Sequence, residues 1–325
     1  MTGLGGYLVR RQPTAIITVV FASIAIFAGV RLMPGDPAAT VLGESATPEA
    51  VAQLRDQLGL NEPVINQYLR WISGLVRGDL GTSLINGTPI ATVIGQAVVP
   101  TLELAAAGML VMIVVGLILG IGGSLAPTAA LRAGIQALTT LLYATPEYVA
   151  AVLGVLVFAV RLDLLPAGGR IPILAAPLIS LQYFILPAIG LGLHSGGVVA
   201  RFLQTSLDRT LEQDFIDAAR GTGVSGRGLV WRHALPNAMP SVLVILGMRL
   251  GHLLGGTVVI EAIFSWHGLG QVLVTSVTTR DYQIVQDLVM YSVVIFVSVQ
   301  ILTDVLQAAL DPRVRESMTT GGALR

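Results

Sequence analysis

Residues 202–236 have the sequence FLQTSLDRTLEQDFIDAARGTGVSGRGLVWRHALP, a polar stretch between two long apolar runs. From Leu203 to Phe215, leucine or phenylalanine recurs every four residues, and acidic side chains occupy other faces of the same helix. This spacing predicts an amphipathic helix that continues out of a membrane span. The glycines of residues 221–228 allow a turn with positive backbone angles, and a second short helix is expected before Leu235-Pro236.

The whole chain is strongly apolar. Of its 325 residues, 54% are hydrophobic and 12% are charged, and the mean hydropathy is +0.78. An ordinary soluble domain has about a quarter of its residues charged, so the composition predicts a membrane protein. The 19 basic and 19 acidic residues balance, which disfavours a nucleic-acid partner held by bulk charge.

Two residue types are missing from the sequence. All 19 basic residues are arginine, so the chain has no lysine for a nucleotide-binding phosphate loop, a Schiff base or a Ser-Lys mechanism. It has no cysteine, which excludes disulfides, thiol catalysis and cysteine metal ligands. We therefore expect no catalytic residue and no nucleotide-hydrolysing site in this chain.

Six apolar runs approach the length of about 20 residues that a helix needs to cross the hydrocarbon core. They are residues 14–32, 104–123, about 138–160, about 179–200, 238–260 and 288–310. Pro146 and Pro187 are expected to interrupt the third and fourth runs, and residues 172–177 to form a re-entrant or interfacial piece. The first run exceeds a cleavable signal core and follows Arg10 and Arg11, which favours a retained anchor.

The arginines predict the orientation in the membrane. With a cytoplasmic N-terminus, the inner segments contain eleven of them: Arg10, Arg11, Arg132, Arg201, Arg209, Arg220, Arg227, Arg232, Arg313, Arg315 and Arg325. The outer segments contain six: Arg55, Arg70, Arg77, Arg161, Arg170 and Arg280. Because short inner loops rich in arginine stay in the cytoplasm, we expect both termini there.

Residues 34–98 are expected to form an extracytoplasmic loop with two short amphipathic helices. The first helix begins at Thr47-Pro48 and ends before Gly59, and the second repeats apolar residues from Val64 onward and ends at Gly78. The helices either cover the outer rim of the protein itself, which is favoured, or dock a soluble partner. The predicted division is 1–33 for the N-terminus and first membrane helix, 34–98 for this loop, and 99–325 for a five-helix core that contains loop 202–236.

The polar stretch also resembles a known loop. Asp217-Ala218-Ala219, Gly223, His233 and Leu235-Pro236 have the spacing of the Glu-Ala-Ala-x3-Gly-x9-Ile-x-Leu-Pro loop of bacterial ABC importer permeases, with Asp for Glu and His for Ile. Five landmark segments resemble the B-type permease of dipeptide and oligopeptide importers: LMPGDP (32–37), GDLGTS (78–83), LPAGG (165–169), EAIFSW (261–266) and LDPR (310–313). His267 departs from that family, which has proline at this position.

This resemblance implies an all-α membrane protein with six transmembrane helices, both termini cytoplasmic, and the type I ABC importer permease fold. It also implies a multi-pass subunit of the bacterial cytoplasmic (inner) membrane that forms half of a translocation pore for peptides. Its partners would be a second homologous permease, two cytoplasmic ATPase subunits or one fused ATPase, and an extracytoplasmic substrate-binding lipoprotein. ATP and Mg would belong to the ATPase, with no cofactor in this chain. The implied ATPase-coupling residues are Asp214, Asp217, Ala218, Ala219, Gly221, Gly223, His233, Leu235 and Pro236.

Arg249 and two neighbours are candidates for the translocation path. Arg249 lies near the middle of the fifth run, where an unpaired arginine costs at least roughly 2.5 to 3.5 kcal/mol. Either it pairs with an acidic residue of the same chain, or it lines a wet path together with Glu147 and His252. Such a path would suit the two charged ends of a zwitterionic peptide. The acidic residues that could form the internal pair are Glu103, Glu147, Asp287 and Asp304.

Other functions stay open at this point. A proton-coupled secondary transporter could use the same acidic residues as a relay, but it leaves the polar stretch 202–236 unexplained. A scaffold protein would explain that stretch but not Arg249. The four histidines lie on separate segments without the i, i+4 spacing of a helical metal pair, so no structural metal site is expected. The resemblance does not separate peptides from glutathione or nickel as the cargo.

Overall fold

The computed structural model describes residues 4–33, 35–43 and 46–310. Over these ranges the regular elements are helices, apart from one isolated bridge between Thr82 and Pro89. The helices are α1 (Leu4–Leu32), α2 (Pro37–Leu42), α3 (Pro48–Gln57), α4 (Val64–Arg77), α5 (Ile90–Ser124), α6 (Ala129–Ala144), α7 (Glu147–Gly154), α8 (Pro177–Leu211), α9 (Asp214–Gly221), α10 (Gly226–Gly228), α11 (Leu235–Ile263), α12 (Leu269–Thr278) and α13 (Tyr282–Leu310). Two π-helical segments, Val155–Arg161 and Leu229–Ala234, follow α7 and α10.

Some predictions fall outside this part of the chain. Pro34 of landmark 32–37, residues 311–313 of the last landmark, and Arg313, Arg315 and Arg325 lie outside the described residues. The side chains of Arg10, Arg11 and Asp304 lie outside them as well.

Five of the predicted spans are single helices. Within the described ranges, the helices long and apolar enough to cross a membrane are Gln12–Leu32, Ile90–Ser124, Pro177–Leu211, Gly226–Ile263 and Tyr282–Thr303. The third predicted run corresponds to α6 and to α7 with its π-helical extension, which are bent by 100° at the break between them. The all-α membrane fold is therefore confirmed, with five spans, or six if the bent pair counts as one.

The two prolines in question behave differently. Thr145 has an extended backbone (φ −85°, ψ 118°), because the ring of Pro146 disfavours the helical conformation of the residue before it, and the helix breaks there. The prediction that Pro187 interrupts the fourth span is wrong, since this residue lies buried inside α8. Helix α8 packs against α6, α7 and α11, and this packing outweighs the one hydrogen bond that the proline removes.

The chain forms two units that are interleaved along the sequence. Unit 1 comprises Met1–Leu8, Leu102–Trp266 and Val299–Arg325, and unit 2 comprises Val9–Thr101 and His267–Ser298. The division predicted from the sequence is consecutive and has its boundary at residue 98, close to the end of the first segment of unit 2.

In unit 1, α5 and α8 pack along a row of glycines, which we call the glycine seam. The seam pairs Gly108 with Leu191, Gly116 with Val199, and Gly120 with Leu203. A Cβ atom added at Gly116 would lie 2.6 Å from Val199 Cγ1, so the backbones are as close as these side chains allow. Because both sets of residue numbers rise together, the two helices run in the same direction.

Helix α11 runs opposite to α8. Ser206 of α8 donates a hydrogen bond to the Ala238 carbonyl near the start of α11, at 3.3 Å, and Leu191 lies against Gly256 further along α11. The connection between these two helices, residues 212–234, therefore lies at one end of unit 1, and we call it the corner.

In unit 2, α3 and α4 lie where amphipathic helices are predicted. Thr47 Oγ1 caps α3 by accepting a hydrogen bond from the Ala50 amide at 3.3 Å, and α4 ends at Gly78 with φ +78°. Trp71 of α4 is buried together with Phe27 and Met290. The short helix α2 was not predicted, and the side chain of Asp36 caps it.

Candidate functional site

Helix α9 carries the acidic residues of the predicted coupling segment. Asp214 and Asp217 lie in its first turn, where the helix dipole stabilises negative charge. Arg220 Nη1 donates to Asp217 Oδ1 at 2.9 Å, and the two side chains are 61% and 67% exposed. An ion pair so open to solvent contributes little stability, so both charges remain accessible to a partner.

The opposite face of α9 is anchored in the core of unit 1. Ile216 is fully buried and belongs to the same apolar cluster as Leu229 and Ala234. Ala219 and Val224 pack against this cluster while partly buried. The corner is therefore an extension of the helical core with a fixed shape, and its outer face alone is free to bind.

Gly223 sets the turn that follows α9. Its φ of +87° lies in the left-handed region, which glycine adopts without steric cost. A Cβ atom added there would meet nothing within 4 Å, so the backbone conformation and not lack of space requires glycine. Of the four glycines from Gly221 to Gly228, Gly223 is the one with positive φ, whereas Gly221 is the last residue of α9.

The second leg of the corner leads into α11. Ser225 caps α10 by accepting a hydrogen bond from the Gly228 amide at 3.3 Å. The carbonyl of His233 accepts a hydrogen bond from Asn237 Nδ2 at 2.7 Å. Pro236 is the second residue of α11, directly after the π-helical segment Leu229–Ala234.

The predicted coupling residues divide into an outer set and an inner set. Ala219, His233 and Leu235 are partly buried. The exposed ones are Asp214, Asp217, Ala218, Gly221, Gly223 and Pro236. Two exposed aromatic residues that the sequence did not single out as coupling residues, Phe215 and Trp231, lie on the same corner. Because Arg220, Arg227 and Arg232 are exposed there as well, the outer surface combines charges of both signs with aromatic rings.

Two of the predicted path residues, Glu147 and His252, lie at the break between α6 and α7. Glu147 is the first residue of α7, and its Oε2 lies 3.9 Å from His252 Nδ1 of α11. A Cβ atom at Gly256 would lie 2.8 Å from Glu147 Oε1, so this glycine provides the space for the carboxylate. Glu147 and His252, predicted as neighbours on the path, are brought together by the fold.

His194 joins this group, although the sequence did not indicate it as a path residue. Its ring stacks on that of His252 with centroids 5.8 Å apart, and its Nδ1 lies 3.3 Å from the Thr145 carbonyl at the break. No local pattern links residues 194 and 252, since their contact depends on the antiparallel packing of α8 and α11. Among the described residues no group of three or more His, Cys, Asp or Glu side chains could hold a metal ion.

Arg249 lies one turn before His252 and is partly buried. Within the described residues of unit 1, it makes no ion pair. Glu103, one of its proposed partners, instead accepts hydrogen bonds from Arg170 Nε and Nη2 at 3.0 and 2.7 Å. A pair between Arg249 and either Glu103 or Glu147 is therefore not formed.

Two landmark segments meet in unit 1. The Gly169 amide of LPAGG donates to the Phe264 carbonyl of EAIFSW at 2.7 Å. A Cβ atom at Gly168 would lie 2.6 Å from the same carbonyl oxygen, so only glycine fits. Arg170 lies 6.0 Å from the ring centroid of Trp266. The contacts between these two motifs are therefore structural, and they hold segment 165–170 against the end of α11.

The other acidic candidate, Asp287, has a structural role in unit 2. Its carboxylate accepts hydrogen bonds from Trp71 Nε1 at 2.6 Å and Gln283 Nε2 at 3.0 Å. Landmark GDLGTS is held in the same unit by a hydrogen bond from Ser83 Oγ to Asp281. Both carboxylates thus fasten α13 to the segments around it in unit 2.

Unit 2 also contains a cavity of about 640 Å³ lined by residues of α1, α4 and α13. Its charged residues are mostly paired with each other, Arg55 with Asp36 at 3.4 Å and Arg70 with Glu62. The hydrogen bond and the charge of Glu62 raise the pKa of the Arg70 guanidinium, so this side chain stays charged at any working pH.

Comparison with known protein families gives matches over almost the whole chain. Residues 112–316 match the model described as binding-protein-dependent transport system inner membrane component, and residues 5–101 match the N-terminal model of the same kind of component. A putative peptide transport system permease protein of Brucella abortus (strain 2308) is 35% identical over 308 residues, which cover 95% of this chain and 98% of that protein. The glutathione transport system permease protein GsiC of Escherichia coli (strain K12) is 35% identical over 312 residues, with the same coverage of both chains.

Solved structures with the same fold are also transporter subunits. An inward-facing MetNI methionine ABC transporter aligns with a TM-score of 0.57 at 18% identity, covering 69% of this chain and 98% of that one. An amino acid ABC transporter crystallised with histidines aligns with a TM-score of 0.53 at 16% identity, covering 67% and 94%. At these identities the likeness supports the fold.

Proposed function

The chain belongs to the family of binding-protein-dependent transport system inner membrane components, and from this premise we propose that its cargo is a peptide. It is a pore-forming permease subunit of an ABC importer and a multi-pass inner-membrane protein. This family works in general with a partner permease, an ATPase and a substrate-binding protein. Family membership also removes the proton-coupled secondary transporter and the scaffold from consideration.

A peptide cargo is supported first by the relatives. The two described above are named for peptides and for glutathione, which is itself a small peptide, and each is 35% identical over 95% of the chain. The charged residues Glu147, at the α6–α7 break, and Arg249, on α11 one turn before His252, are consistent with such a cargo. Glu147 can meet an ammonium group and Arg249 a carboxylate, the two ends of a zwitterionic peptide.

Ligand binding by the cognate substrate-binding protein tests the cargo directly. Isothermal titration with a dipeptide series, longer oligopeptides, glutathione and a nickel chelate should give tight binding for one of the peptide classes. Binding of nickel alone would contradict the proposal.

The corner is proposed to bind the ATPase. The observation that carries this proposal is its two-sided construction: Ile216 is fully buried in the core of unit 1, while Asp217 on the other side is 67% exposed. A force applied to the outer face reaches α8 and α11 through that buried contact, so closure of the ATPase would tilt these helices as one body. Transport requires only that the ATPase binds the two orientations with different affinity.

The absence of cysteine from the chain makes this testable by crosslinking. In the assembled complex, Phe215→Cys and Asp217→Cys should crosslink to an ATPase subunit that carries one cysteine in its groove. Ile216→Cys is the matched control from the buried face and should not react. Failure of both outer positions to crosslink in any nucleotide state would contradict docking at the corner.

The same strategy tests the proposed orientation with both termini in the cytoplasm. A membrane-impermeant maleimide added to intact cells should label Gln53→Cys on α3 but not Asp217→Cys. Permeabilised cells should give labelling at both positions. The reverse pattern would overturn the orientation.

The path residues are tested by uptake. Arg249→Gln and Glu147→Gln each remove a charge that a zwitterionic cargo would contact, so uptake should fall by about tenfold or more for each. Protein abundance is measured beside uptake, because an internal structural role would lower abundance as well. Unchanged uptake and unchanged abundance in both variants would contradict a role on the path.

A further inference from the structure

A cleft of about 510 Å³ lies between the end of α8 and the start of α11, on the membrane side of the corner. Along one wall a residue lines the cleft at every fourth position, Arg201, Thr205 and Arg209 of α8 and then Gln213, the residue before α9. Its α11 wall has the same spacing, with Asn237, Ser241 and Ile245. The two walls are joined by the hydrogen bond from Ser206 to the Ala238 carbonyl. Sites for small ligands typically have volumes of about 300 to 1,000 Å³, and this cleft lies in that range.

The lining of the cleft is cationic. Arg201 and Arg209 line it, and no carboxylate is among the residues that do. Neither guanidinium forms an ion pair with any residue of unit 1 that the structure describes. Asp208 and Glu212, their acidic neighbours on α8, do not line the cleft. Two positive charges at the edge of an apolar span are therefore left without compensation.

The hydrogen-bond donors of the cleft that have no partner among the described residues are mainly the N–H groups of the arginines, and these favour an anion as the ligand. The hydroxyls of Thr205, Ser206 and Thr210 already donate to backbone carbonyls, so they offer few protons to a ligand. Arg201 donates to the Tyr143 hydroxyl at 3.0 Å and lies over that ring, which orients the guanidinium while its other N–H groups remain available. A planar guanidinium with free donors recognises groups with several acceptor oxygens, phosphate above all.

The cleft also has an apolar side. Phe202, which is 49% exposed, and Ile245 line it beside the arginines. A ligand that fits must therefore combine a phosphate group with hydrocarbon. Basic pockets between membrane helices at the cytoplasmic surface bind the headgroups of anionic lipids.

We propose that this cleft binds a phosphate group, supplied by the headgroup of phosphatidylglycerol. The bound headgroup would contact Arg209 at the end of α8, Gln213 in the corner and Asn237 at the start of α11, so it would hold together the two helices that the corner connects. The assignment rests on the orientation proposed above, which puts this end of α8 in the cytoplasmic leaflet.

Native mass spectrometry of the full transporter complex tests the proposal. The purified complex is titrated with phosphatidylglycerol and, separately, with phosphatidylcholine. Phosphatidylglycerol should bind with preference, and Arg201→Gln together with Arg209→Gln should weaken its binding by about 30-fold, since each basic residue near an anionic lipid contributes roughly fivefold. Arg209→Gln alone keeps the contact between Arg201 and Tyr143 and should still weaken binding by about fivefold.

The matched control is the pair Arg227→Gln and Arg232→Gln. These exposed arginines lie on the corner, carry the same charge and do not line the cleft. An equal loss of lipid binding in the control pair would show that the total positive charge of the surface, and not the cleft, determines binding, and it would overturn the proposal. Equal binding of the two lipids would overturn it as well.

Two further measurements are needed. The first distinguishes a lipid headgroup from a soluble phosphate as the ligand, and the second tests the lipid site separately from the proposed coupling function. Inorganic phosphate and glycerol 3-phosphate are titrated against the same variants, and binding that depends on Arg209 for these soluble anions but not for phosphatidylglycerol would overturn the lipid source. Crosslinking of Phe215→Cys to the ATPase is measured in parallel. Loss of that crosslink with lipid binding intact would contradict the coupling role of the corner and leave the lipid site standing.

Discussion

Helices α9 and α4 are both short and amphipathic, and both lie in segments that connect membrane spans, yet they expose different kinds of side chain. Helix α9 buries Ile216 and exposes the charged residues Asp214, Asp217 and Arg220. Helix α4 buries Trp71 but leaves large apolar side chains in the open, with Val76 83% exposed and Ile65 66% exposed.

This difference indicates what each helix contacts outside the chain. A surface that shows charge and aromatic rings over a buried apolar anchor suits a soluble protein that binds and releases. A surface that shows aliphatic side chains suits lipid or a permanent partner. We therefore expect changes on α9 to affect transport with little effect on stability, and changes on α4 to affect stability first.

The largest expected effect is charge reversal on α9. Asp217→Arg should lower uptake by about 30-fold or more, since a buried charge contact with the ATPase would become repulsive. The protein should still accumulate in the membrane, because Asp217 contributes almost nothing to the fold. The same reversal on α4, Arg77→Glu, should change uptake by less than about twofold. Similar losses of uptake in the two variants would remove the distinction between the helices.

The next test uses the glycines that end the two helices. Gly223 after α9 and Gly78 after α4 have φ of +87° and +78°, and neither has an atom within 4 Å of an added Cβ. Gly223→Ala and Gly78→Ala should therefore each introduce the same backbone strain, about 1 to 2 kcal/mol.

The midpoint temperature of thermal unfolding should fall by the same amount in both alanine variants, whereas uptake should fall several-fold only for Gly223→Ala. Gly134→Ala serves as the control, because Gly134 lies inside helix α6 with no atom within 4 Å of an added Cβ, so this variant should keep both its thermal stability and its uptake. An equal loss of uptake at Gly78 would mean that transport responds to strain anywhere in the chain.

The sequence predicted α4 because its pattern is local, whereas α9 was predicted only as the end of a helix running on from Leu203, and the structure breaks that helix between Leu211 and Asp214. The repeat of apolar residues in α4 and the glycine that ends it lie within one element, so the helix itself determines them. The break at Pro146 was also predicted, because the proline acts on the residue directly before it, but the contact of His194 with His252 and the continuity of α8 through Pro187 depend on which helices are neighbours. That information is spread over segments about 50 residues apart and cannot be recognised in one sequence.

A smaller effect is expected from exchanging tryptophan for phenylalanine in the two regions. Trp71→Phe removes the hydrogen bond to the buried Asp287 carboxylate and should destabilise the protein by about 1 to 3 kcal/mol. Trp231→Phe, at a position that is 57% exposed, should leave the melting temperature in detergent unchanged. A drop in melting temperature for the corner variant alone would contradict the assignment of the stabilising contacts to α4.

The smallest effect is expected at the exposed ion pair of α9. Arg220→Gln removes the partner of Asp217 and should change uptake by no more than about twofold, because so exposed a pair contributes little. Uptake at low and at high salt is the measurement. A loss as large as that of Asp217→Arg would mean that Arg220 itself binds the ATPase.

The glycine seam between α5 and α8 has a consequence for how related sequences can diverge. Three glycines and three branched side chains fill one line of contact without spare volume. A larger residue therefore cannot be introduced on one helix unless the residue that it contacts on the other helix becomes smaller. In related chains we expect positions 108, 116 and 120 to covary in size with positions 191, 199 and 203, a larger residue on one helix appearing together with a smaller one on the other. Lipid-facing positions one turn away should vary freely, so an alignment of many relatives should trace the seam as a row of correlated pairs.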